Sequence, residues 1–200
     1  LKAFTKAIPG DIFIICVPTP IYLDKNPKPN IEHVLNAART IASHLKPGDY
    51  VILESTSPVG TTEKLSKVLK KEGVDIKKVF IAYCPERVLP GSIFRELVQN
   101  DRIVGGLSSD GTKKIANFYR CFVKGKVHET NAKTAEMTKL VENSFRDVNI
   151  AFANELSVLC SNKKINVSDV IALANKHPRV NILKPGIGVG GHCIAVDPWF

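Results

Sequence analysis

The sequence lacks an apolar run long enough to cross a membrane, so we do not expect a membrane protein. A spanning helix needs about 20 consecutive apolar residues, and runs such as IFIICV, Ile12 to Val17, are far shorter. The opening residues, LKAFTKAIPGD, lack the apolar core of a signal peptide. They also lack an initiator methionine, and the chain stops directly after DPWF, so we expect a segment of a longer protein.

Cysteine is scarce, and no two cysteines form a CxxC pair. The odd number, five, argues against a disulfide framework and a structural zinc site, so we expect no bound metal. Reduced thiols are typical of the cytosol, which predicts a cytoplasmic protein. We expect most of them to be small core residues and one to be a candidate nucleophile. The cysteines are Cys16, Cys84, Cys121, Cys160 and Cys193.

Positive charge is in excess, but no nucleic-acid-binding motif accompanies it. The formal net charge of +9 would suit nucleic acid, a membrane surface or a small anionic ligand. The lysines are scattered over helix-like segments such as KLSKVLKKEG, and no basic stripe with interleaved aromatic residues occurs. We interpret the charge as a solvated surface, and an anionic small molecule fits it better than nucleic acid or a membrane.

Apolar runs alternate with amphipathic stretches up to about residue 121, a pattern that predicts an α/β fold with an open, mostly parallel sheet. The first run is continuous, which predicts a strand buried on both faces. The strands are predicted at DIFIICV, YVILEST, VFIAYC and DRIVGGL. Three of them end in the proline-containing segments VPTP, ESTSP and YCPE, and ligands of such sheets bind at the carboxyl ends of the strands. A proline at one strand end is usually a stop signal, whereas three in one sheet favour a shared site.

Helix start signals occur at several places between these strands and after them. Asn30 is the predicted N-cap of a helix beginning near NIEHVL, and Thr61 or Thr62 is the predicted cap of GTTEKLSKVLKK. Asn166 or Ser168 is the predicted cap of a short helix, NVSDVIALANKH. The segment SDGTKKIANFYRCF is also predicted to be helical.

The pattern changes near Lys133, where about thirty residues contain neither glycine nor proline. This predicts one long helix that serves as a spine between domains or subunits. Lys139, Asn143 and Arg146 fall at i, i+4 and i+7 and therefore share one face. Such a face is usually solvated, but on a buried helix it would need a partner such as an anionic ligand. Apolar candidates for burial in the fold or across a two-fold interface are Met137, Leu140, Val141, Ile150, Phe152 and Leu156.

The segment Gly186–Gly191 spells GxGxxG but does not have the setting of a dinucleotide-binding loop. That fingerprint needs a preceding strand and a helix that opens at the last glycine. Here Pro185 precedes the first glycine, and the following HCIAVDP favours extended backbone and ends in proline. We interpret the glycines as a loop that presents Cys193, whose thiolate the glycine amides and His192 would favour. The alternative is a buried structural cysteine.

The segments VPTP, ESTSPVGTTEK, YCPERVLPG, TKLVENSFRDVNIAFANE and GVGGHCIAVDP occur in the order found in nucleotide-sugar 6-dehydrogenases. Over nearly its whole length the chain resembles this UDP-glucose dehydrogenase superfamily. CPERVLPG and GGHCIAVDPWF are most similar to its UDP-N-acetyl-D-mannosamine dehydrogenases. The resemblance implies that residues 1–130 are the second half of a Rossmann-like NAD-binding domain and that 131–200 are an all-α central domain with one long helix. It also implies that the family's true GxGxxG segment and its UDP-binding C-terminal domain lie outside this chain.

The resemblance further implies oxidation of a sugar C6 alcohol to a carboxylate, with two hydrides passed to two NAD⁺. Cys193 matches the nucleophile, which would trap the aldehyde as a thiohemiacetal and then become a thioester. Lys139 matches a lysine that stabilises an oxyanion or shuttles a proton, and Asn143 would help to hold that oxygen. Glu86 matches a glutamate with acid–base or water-activating roles, and Asp197 an aspartate that positions the lysine or the water.

Binding residues follow from the same resemblance. Thr19 and Thr56 match residues of the NAD pocket. His177 and Arg179 match residues that reach the substrate from a partner subunit, which implies a homodimer along the long helix. The remaining matches to substrate contacts are Arg87, Val88, Lys139, Asn143, Arg146 and Gly190.

Several alternatives remain at this point. The sugar could instead be UDP-N-acetylglucosamine or UDP-glucose. A second class is a non-catalytic, truncated member of the family that still dimerises through the long helix. A third class, a nucleic-acid-binding protein, rests on the positive charge alone and predicts binding that weakens steeply with salt.

Overall fold

The computed structural model describes residues 2–22, 27–88, 91–191 and 193–200. The chain divides into two compact units, Leu1–Lys139 and Leu140–Phe200. A domain boundary near residue 131 stays a prediction from the sequence.

The strands and helices follow one another as the alternating pattern predicts. In chain order they are β1 (Ile12–Ile15), β2 (Ile21–Tyr22), β3 (Lys28–Pro29), α1 (Glu32–Ala42), β4 (Tyr50–Leu53), α2 (Thr61–Lys71), β5 (Phe80–Tyr83), α3 (Ile93–Gln99), β6 (Arg102–Gly106), α4 (Ser109–Arg120), β7 (Val127–Asn131), α5 (Ala132–Asn162), α6 (Val167–Ala174) and a 3₁₀ helix at Asp197–Trp199. The last residue of the first unit, Lys139, lies within α5.

The first unit is built on a five-stranded sheet with the order β1-β4-β5-β6-β7. The pairs β1–β4, β4–β5 and β6–β7 are parallel, and β5–β6 is antiparallel. β2 and β3 form a separate antiparallel pair. The prediction of an α/β fold with a mostly parallel sheet and one long helix is therefore confirmed.

The two faces of the sheet bury separate apolar clusters, because alternate residues of a strand point to opposite faces. On one face Val51 and Leu53 of β4 pack with residues of α1 and α2, such as Val34 and Leu65. On the other face the cluster contains Ile52 together with residues from β5, β6 and α4. The sheet is thus the middle of three layers in this unit.

β1 differs from its prediction, because it is not buried on both faces. Ile12 and Ile14 are 37% and 45% exposed, whereas Ile15 is buried. Within the described residues β1 pairs with β4 alone and lies at the edge of the sheet. A continuous apolar run therefore correctly predicted the strand, but the described chain covers one face of it.

The predicted helix cap is correct for α6 and wrong for α1 and α2. The N-cap of α1 is Ile31, one residue after the predicted Asn30, although the Asn30 side chain accepts the Glu32 N–H at 2.9 Å. Asn166, not Ser168, caps α6 with a bond of 2.9 Å. Neither Thr61 nor Thr62 is the N-cap of α2; that position is Gly60, whose φ of 92° is left-handed and whose missing side chain cannot cap.

Several short elements are absent from the sequence prediction. β7, with the sequence VHETN, has no apolar run, and α3 and the two-residue strands β2 and β3 are too short for a periodic pattern. The expectation of extended backbone after Gly191 is wrong, since residues 193–196 form turns that lead into the 3₁₀ helix.

The long helix predicted from the absence of glycine and proline is confirmed as α5, with 31 residues. Of its apolar candidates, Leu140 is buried at 7% exposure, while Met137, Val141 and Phe152 are at least half exposed. Ile150 and Leu156 have intermediate exposure. None of the helices in the described part of the chain combines the length and the apolar character of a membrane-spanning segment.

The first turn of α5 lies very close to β6 at Gly105. A Cβ atom at this position would lie 2.4 Å from the carbonyl oxygen of Asn131 and 2.7 Å from the Cβ of Ala135. Ala135 is fully buried. Glycine is therefore required here to let the helix approach the strand.

We predict that Gly105→Ala lowers the free energy of unfolding by about 3 kcal/mol, because the backbone of α5 must move to make room. Urea-induced unfolding followed by circular dichroism measures this change. Gly10→Ala is the matched control, since a Cβ there meets nothing within 4 Å. A loss in Gly105→Ala no larger than that in Gly10→Ala would contradict the close approach.

Candidate functional site

The segments after β1 and β4 meet at one edge of the sheet, as the sequence predicts. The Thr19 hydroxyl donates to the carbonyl oxygen of Thr56 at 2.7 Å, and the Ser55 hydroxyl donates to that of Val17 at 2.7 Å. Thr19 and Thr56, the two residues assigned to the NAD pocket, are thus adjacent and half-buried. Half-buried hydroxyls at the carboxyl ends of parallel strands fit a polar cofactor.

Two of the proposed catalytic residues, Glu86 and Lys139, are also brought together in the first unit. The Lys139 ammonium donates to the backbone carbonyl oxygen of Glu86 at 2.9 Å. The Glu86 carboxylate accepts the backbone N–H of Val88. All three residues have intermediate exposure, so they can contact a ligand.

Arg87 lies beside these residues and lines a cavity of about 330 Å³ with Asp101 and His128, among others. Its guanidinium donates to the Asp101 carbonyl oxygen at 3.2 Å. His128 Nε2 lies 2.8 Å from the Asp101 carboxylate. The hydrogen bond from His128, followed by the one from the Lys126 N–H, holds the pKa of Asp101 below its usual value.

In the second unit, Asn143 of α5 donates through its side-chain amide to the carboxylate of Asp197. Both are buried, with 7% and 5% exposure. The Asp197 N–H donates to the carbonyl oxygen of Cys193 at 2.9 Å, so the turn after Cys193 fixes the start of the 3₁₀ helix. Cys193 itself is exposed. The sequence assigned Asp197 to Lys139 or a water, and the structure gives it Asn143 as a partner.

The glycines before Cys193 form a loop, and no described strand precedes them. The Gly186 N–H donates to the Asn154 side chain at 2.8 Å, and Gly191 has a left-handed φ of 117°. Among the described residues no α-helix opens after Gly191. This geometry is consistent with the prediction that the glycines do not form a dinucleotide-binding loop. His192 lies outside the described residues.

The remaining predicted substrate contacts lie in the second unit. Arg146 on α5 and Gly190 are both exposed. His177 and Arg179 are exposed and contact each other, since the Arg179 N–H donates to His177 Nδ1 at 3.3 Å. Their roles toward a substrate stay predictions.

Sequence reasoning did not find the partners of Glu54, the first residue after β4. Its carboxylate accepts the Tyr119 hydroxyl and, at 3.7 Å, the Cys16 thiol. Desolvation and then the Glu54 charge raise the pKa of Cys16 to about 11. Burial raises the pKa of Cys84 to about 12 and that of Tyr119 as well. Cys16 and Cys84 therefore remain protonated near neutral pH and are poor nucleophiles.

Glu136, a second carboxylate missed in the sequence, is fully buried near the start of α5. It accepts the Gly60 N–H at 2.6 Å, the Thr62 N–H at 2.8 Å and the Thr62 hydroxyl at 2.7 Å. These are the donors at the start of α2, which explains how that helix begins without a side-chain cap of its own. The sequence places Glu136 four residues before Leu140, on the same face of α5. A carboxylate on an apolar helix face needs hydrogen-bond partners, and this spacing was the signal available in the sequence.

Two family models match the chain. Residues 2–123 match the NAD binding domain of the UDP-glucose/GDP-mannose dehydrogenase family, and residues 133–200 match the central domain of that family.

Individual relatives agree with this match. A UDP-N-acetyl-D-mannosamine dehydrogenase of Campylobacter jejuni is 57% identical over 100% of this chain and 51% of the relative. An NDP-N-acetyl-D-galactosaminuronic acid dehydrogenase of Ralstonia nicotianae is 54% identical over 100% of this chain and 49% of the relative. The solved structure of a UDP-N-acetyl-mannosamine dehydrogenase of Staphylococcus aureus is 49% identical and has a TM-score of 0.88. It covers 100% of this chain and 49% of that one.

The chain therefore spans about half the length of the relatives it matches. Both of its family matches, the extent of the identity and the similarity of the fold lead to the same conclusion. The chain belongs to the UDP-glucose/GDP-mannose dehydrogenase family.

Proposed function

We propose that the natural protein that contains this chain oxidises C6 of UDP-N-acetyl-D-mannosamine to a carboxylate, with NAD⁺ as the oxidant. The observation that carries the proposal is the hydrogen bond of 2.9 Å between Lys139 and Glu86. These residues come from separate motifs, and both match catalytic positions of the family. The identity to UDP-N-acetyl-D-mannosamine dehydrogenases favours this sugar.

The chemistry requires a nucleophile, an oxyanion partner and an acid–base group. NAD⁺, when bound, accepts one hydride from C6 in each of the two oxidations. After the first oxidation the Cys193 thiolate adds to the aldehyde carbon, a C–S bond forms and the carbonyl oxygen becomes an alkoxide. The Lys139 ammonium stabilises this oxygen, with Asn143 one helical turn away. Loss of the second hydride leaves a thioester, which water cleaves to the carboxylate and the free thiol.

The other proposed residues bind, orient or move protons. Glu86 activates the hydrolytic water or relays its proton, and Asp197 acts through the Asn143 amide that it binds. Arg87 and Arg146 suit an anionic substrate, because a guanidinium bonds two oxygens at once. Val88 and Gly190 line the substrate site. His177 and Arg179 reach the site of the partner subunit.

Thr19 and Thr56 are the residues of this chain proposed to hold NAD⁺. They lie at the carboxyl ends of adjacent parallel strands, which is where sheets of this type bind ligands. A cytosolic location, predicted from the reduced thiols, belongs to the same proposal.

A second sugar has specific support. Relatives that act as NDP-N-acetyl-D-galactosaminuronic acid dehydrogenases are 53% and 54% identical to this chain. UDP-N-acetylgalactosamine is therefore a competing substrate, beside UDP-N-acetylglucosamine and UDP-glucose.

We predict about two NADH per sugar when the full-length natural protein consumes limiting UDP-N-acetyl-D-mannosamine, because the alcohol is oxidised twice. Cys193→Ser should lower uronate production by about a thousandfold or more while slow aldehyde formation continues. NADH absorbance and mass spectrometry of the sugar product measure both. Cys121→Ser is the matched control, since Cys121 is also an exposed thiol and has no proposed role.

Each outcome of this experiment has a distinct meaning. One NADH per sugar would contradict the thioester scheme, and normal uronate production by Cys193→Ser would exclude Cys193 as the nucleophile. Faster turnover of another UDP-sugar in parallel assays would correct the substrate. Absence of turnover with all four sugars would favour the non-catalytic alternative.

The raised thiol pKa of Cys16 gives a second prediction, on the pH dependence of labelling. A pKa of about 11 leaves roughly one thiolate in a thousand at pH 8. The alkylation rate of Cys16 by iodoacetamide should therefore rise about tenfold per pH unit between pH 8 and 10. Peptide mass spectrometry follows each cysteine separately. Cys121 is the internal control because its thiol faces the Asn117 carbonyl instead of a carboxylate, and equal rates for Cys16 and Cys121 at pH 8 would refute the prediction.

We further propose a homodimer along the exposed stripe of α5. Five apolar side chains at spacings of three, four or seven residues share one side of the helix, and each is at least 55% exposed. They are Val141, Phe145, Val148, Phe152 and Leu159. A narrow apolar stripe of this kind is typical of a helix that packs against another helix.

Val148→Glu should weaken the dimer of the full-length protein by at least about a hundredfold, because it buries an unpaired charge in the interface. Sedimentation velocity at micromolar concentration measures the change. Ser161→Glu adds the same charge on the opposite side of α5 and should leave the dimer intact. A monomeric wild-type protein at this concentration would rule out the proposed dimer.

A further inference from the structure

The buried carboxylate of Glu136 has no role in the proposed reaction, yet it contacts the segment that leads to the proposed cofactor residues. Its three described donors are the Gly60 N–H, the Thr62 N–H and the Thr62 hydroxyl, at 2.6 to 2.8 Å. All three are neutral groups. A carboxylate with no exposed surface is unfavourable unless such bonds replace its water. Its position is therefore tightly determined.

The start of α2 needs this carboxylate. The first N–H groups of a helix have no partner within the helix, and a side chain at the N-cap usually accepts one of them. Gly60 occupies the N-cap and has no side chain, and the Thr61 hydroxyl donates to the Pro58 carbonyl instead. Glu136 supplies the missing acceptor from a different helix and places its negative charge at the positive end of α2.

The same residue fixes the part of α5 from which Lys139 projects. Ala135, directly before Glu136, is fully buried against Gly105. Lys139 is three residues later, which is less than one helical turn, and donates to the Glu86 carbonyl. Because a helix is stiff over so short a distance, displacement of Glu136 would displace the Lys139 amine.

The segment that is hydrogen-bonded to Glu136 also contains Thr56. Residues 54–60 connect β4 to α2, and the segment contains both Thr56 and Gly60. Thr56 is bonded in turn to Thr19. One carboxylate therefore joins the segment on the cofactor side to the helix that carries the proposed catalytic lysine.

We infer that Glu136 is a positioning residue, which sets the Lys139 amine relative to the β4–α2 segment and thereby to the site where the hydride leaves. It acts through Lys139 and Thr56 and does not touch the reacting atoms. The inference rests on the proposed function for its effect on turnover, and on the geometry of the first unit for its effect on Lys139.

The test is Glu136→Gln in the full-length natural protein. The amide nitrogen of glutamine cannot accept an N–H bond, so at least one bond to the start of α2 is lost together with the charge. We expect kcat for NADH formation to fall about tenfold to a hundredfold, because small displacements of a catalytic group have effects of this size. The KM for the sugar should stay within about threefold.

Two further variants separate positioning from a general loss of stability. Ser108→Ala removes the N-cap of α4, where the Ser108 hydroxyl accepts the Gly111 N–H at 3.1 Å. Ser108→Ala should lower the free energy of unfolding about as much as Glu136→Gln does, and it should leave kcat unchanged. Thr62→Ser keeps both the N–H and the hydroxyl that Glu136 accepts and should behave like the wild type.

A readout that needs no turnover completes the test. Lysines are reductively methylated with ¹³C-formaldehyde, the Lys139 resonance is assigned by its loss in Lys139→Arg, and its chemical shift is measured by NMR at a single pH. Glu136→Gln should change this chemical shift, and Ser108→Ala should not. If the wild type oxidises no UDP-sugar, the proposed function fails while this measurement still decides the role of Glu136.

Two results would overturn the inference. The first is a Lys139 chemical shift in Glu136→Gln that is identical to that of the wild type. The second is a fall in kcat in Ser108→Ala as large as that in Glu136→Gln, since any lost cap would then have the same effect.

Discussion

The parallel pairing of β1, β4 and β5 is the constraint on which the candidate site of the first unit depends. Parallel strands end at the same edge, so three segments that are far apart in sequence meet there. The bonds from Thr19 to Thr56 and from Ser55 to Val17 tie two of these segments together. The third segment supplies Glu86, whose carbonyl binds Lys139. A different pairing would separate these residues even if every helix were kept.

Three glutamates near this edge differ in environment, and the differences separate their roles. Glu136 is fully buried and accepts hydrogen bonds from backbone and hydroxyl donors, so its carboxylate holds the fold together and does not face a ligand. Glu54 accepts hydrogen bonds from a phenol and a thiol, and burial, more than the charge of Glu54, raises the pKa of both groups. Glu86 is half-buried and accepts one backbone N–H from its own loop. Glu54 is also half-buried, so Glu54 and Glu86 differ in their hydrogen-bond partners and not in their exposure.

The alternation of apolar runs predicted four of the five strands of the sheet, and the absence of glycine and proline predicted α5. The motifs also located Glu86 and Lys139, which the structure brings together. The sequence could not reveal that Glu136 caps α2, because the two residues concerned, Gly60 and Glu136, are 76 positions apart. The prediction that β1 is buried on both faces was also wrong. An apolar run shows that both faces of a strand are apolar, but it does not show which elements cover them. β7 was missed because its residues are largely polar and exposed.

Similarity to relatives does not decide which sugar the natural protein oxidises. Relatives named for different N-acetylated sugars are almost equally similar to this chain. N-acetylmannosamine and N-acetylgalactosamine differ only in the orientation of substituents on the ring. A site that hydrogen-bonds a hydroxyl rejects an analogue lacking it by about 10⁴-fold, whereas an apolar pocket discriminates far less. An epimer moves its hydroxyl away from such a contact, so polar side chains beside the sugar ring are better candidates for setting specificity than the residues that build the core. Arg87 and Arg146 are proposed for the anionic part of the substrate, which the competing UDP-sugars share.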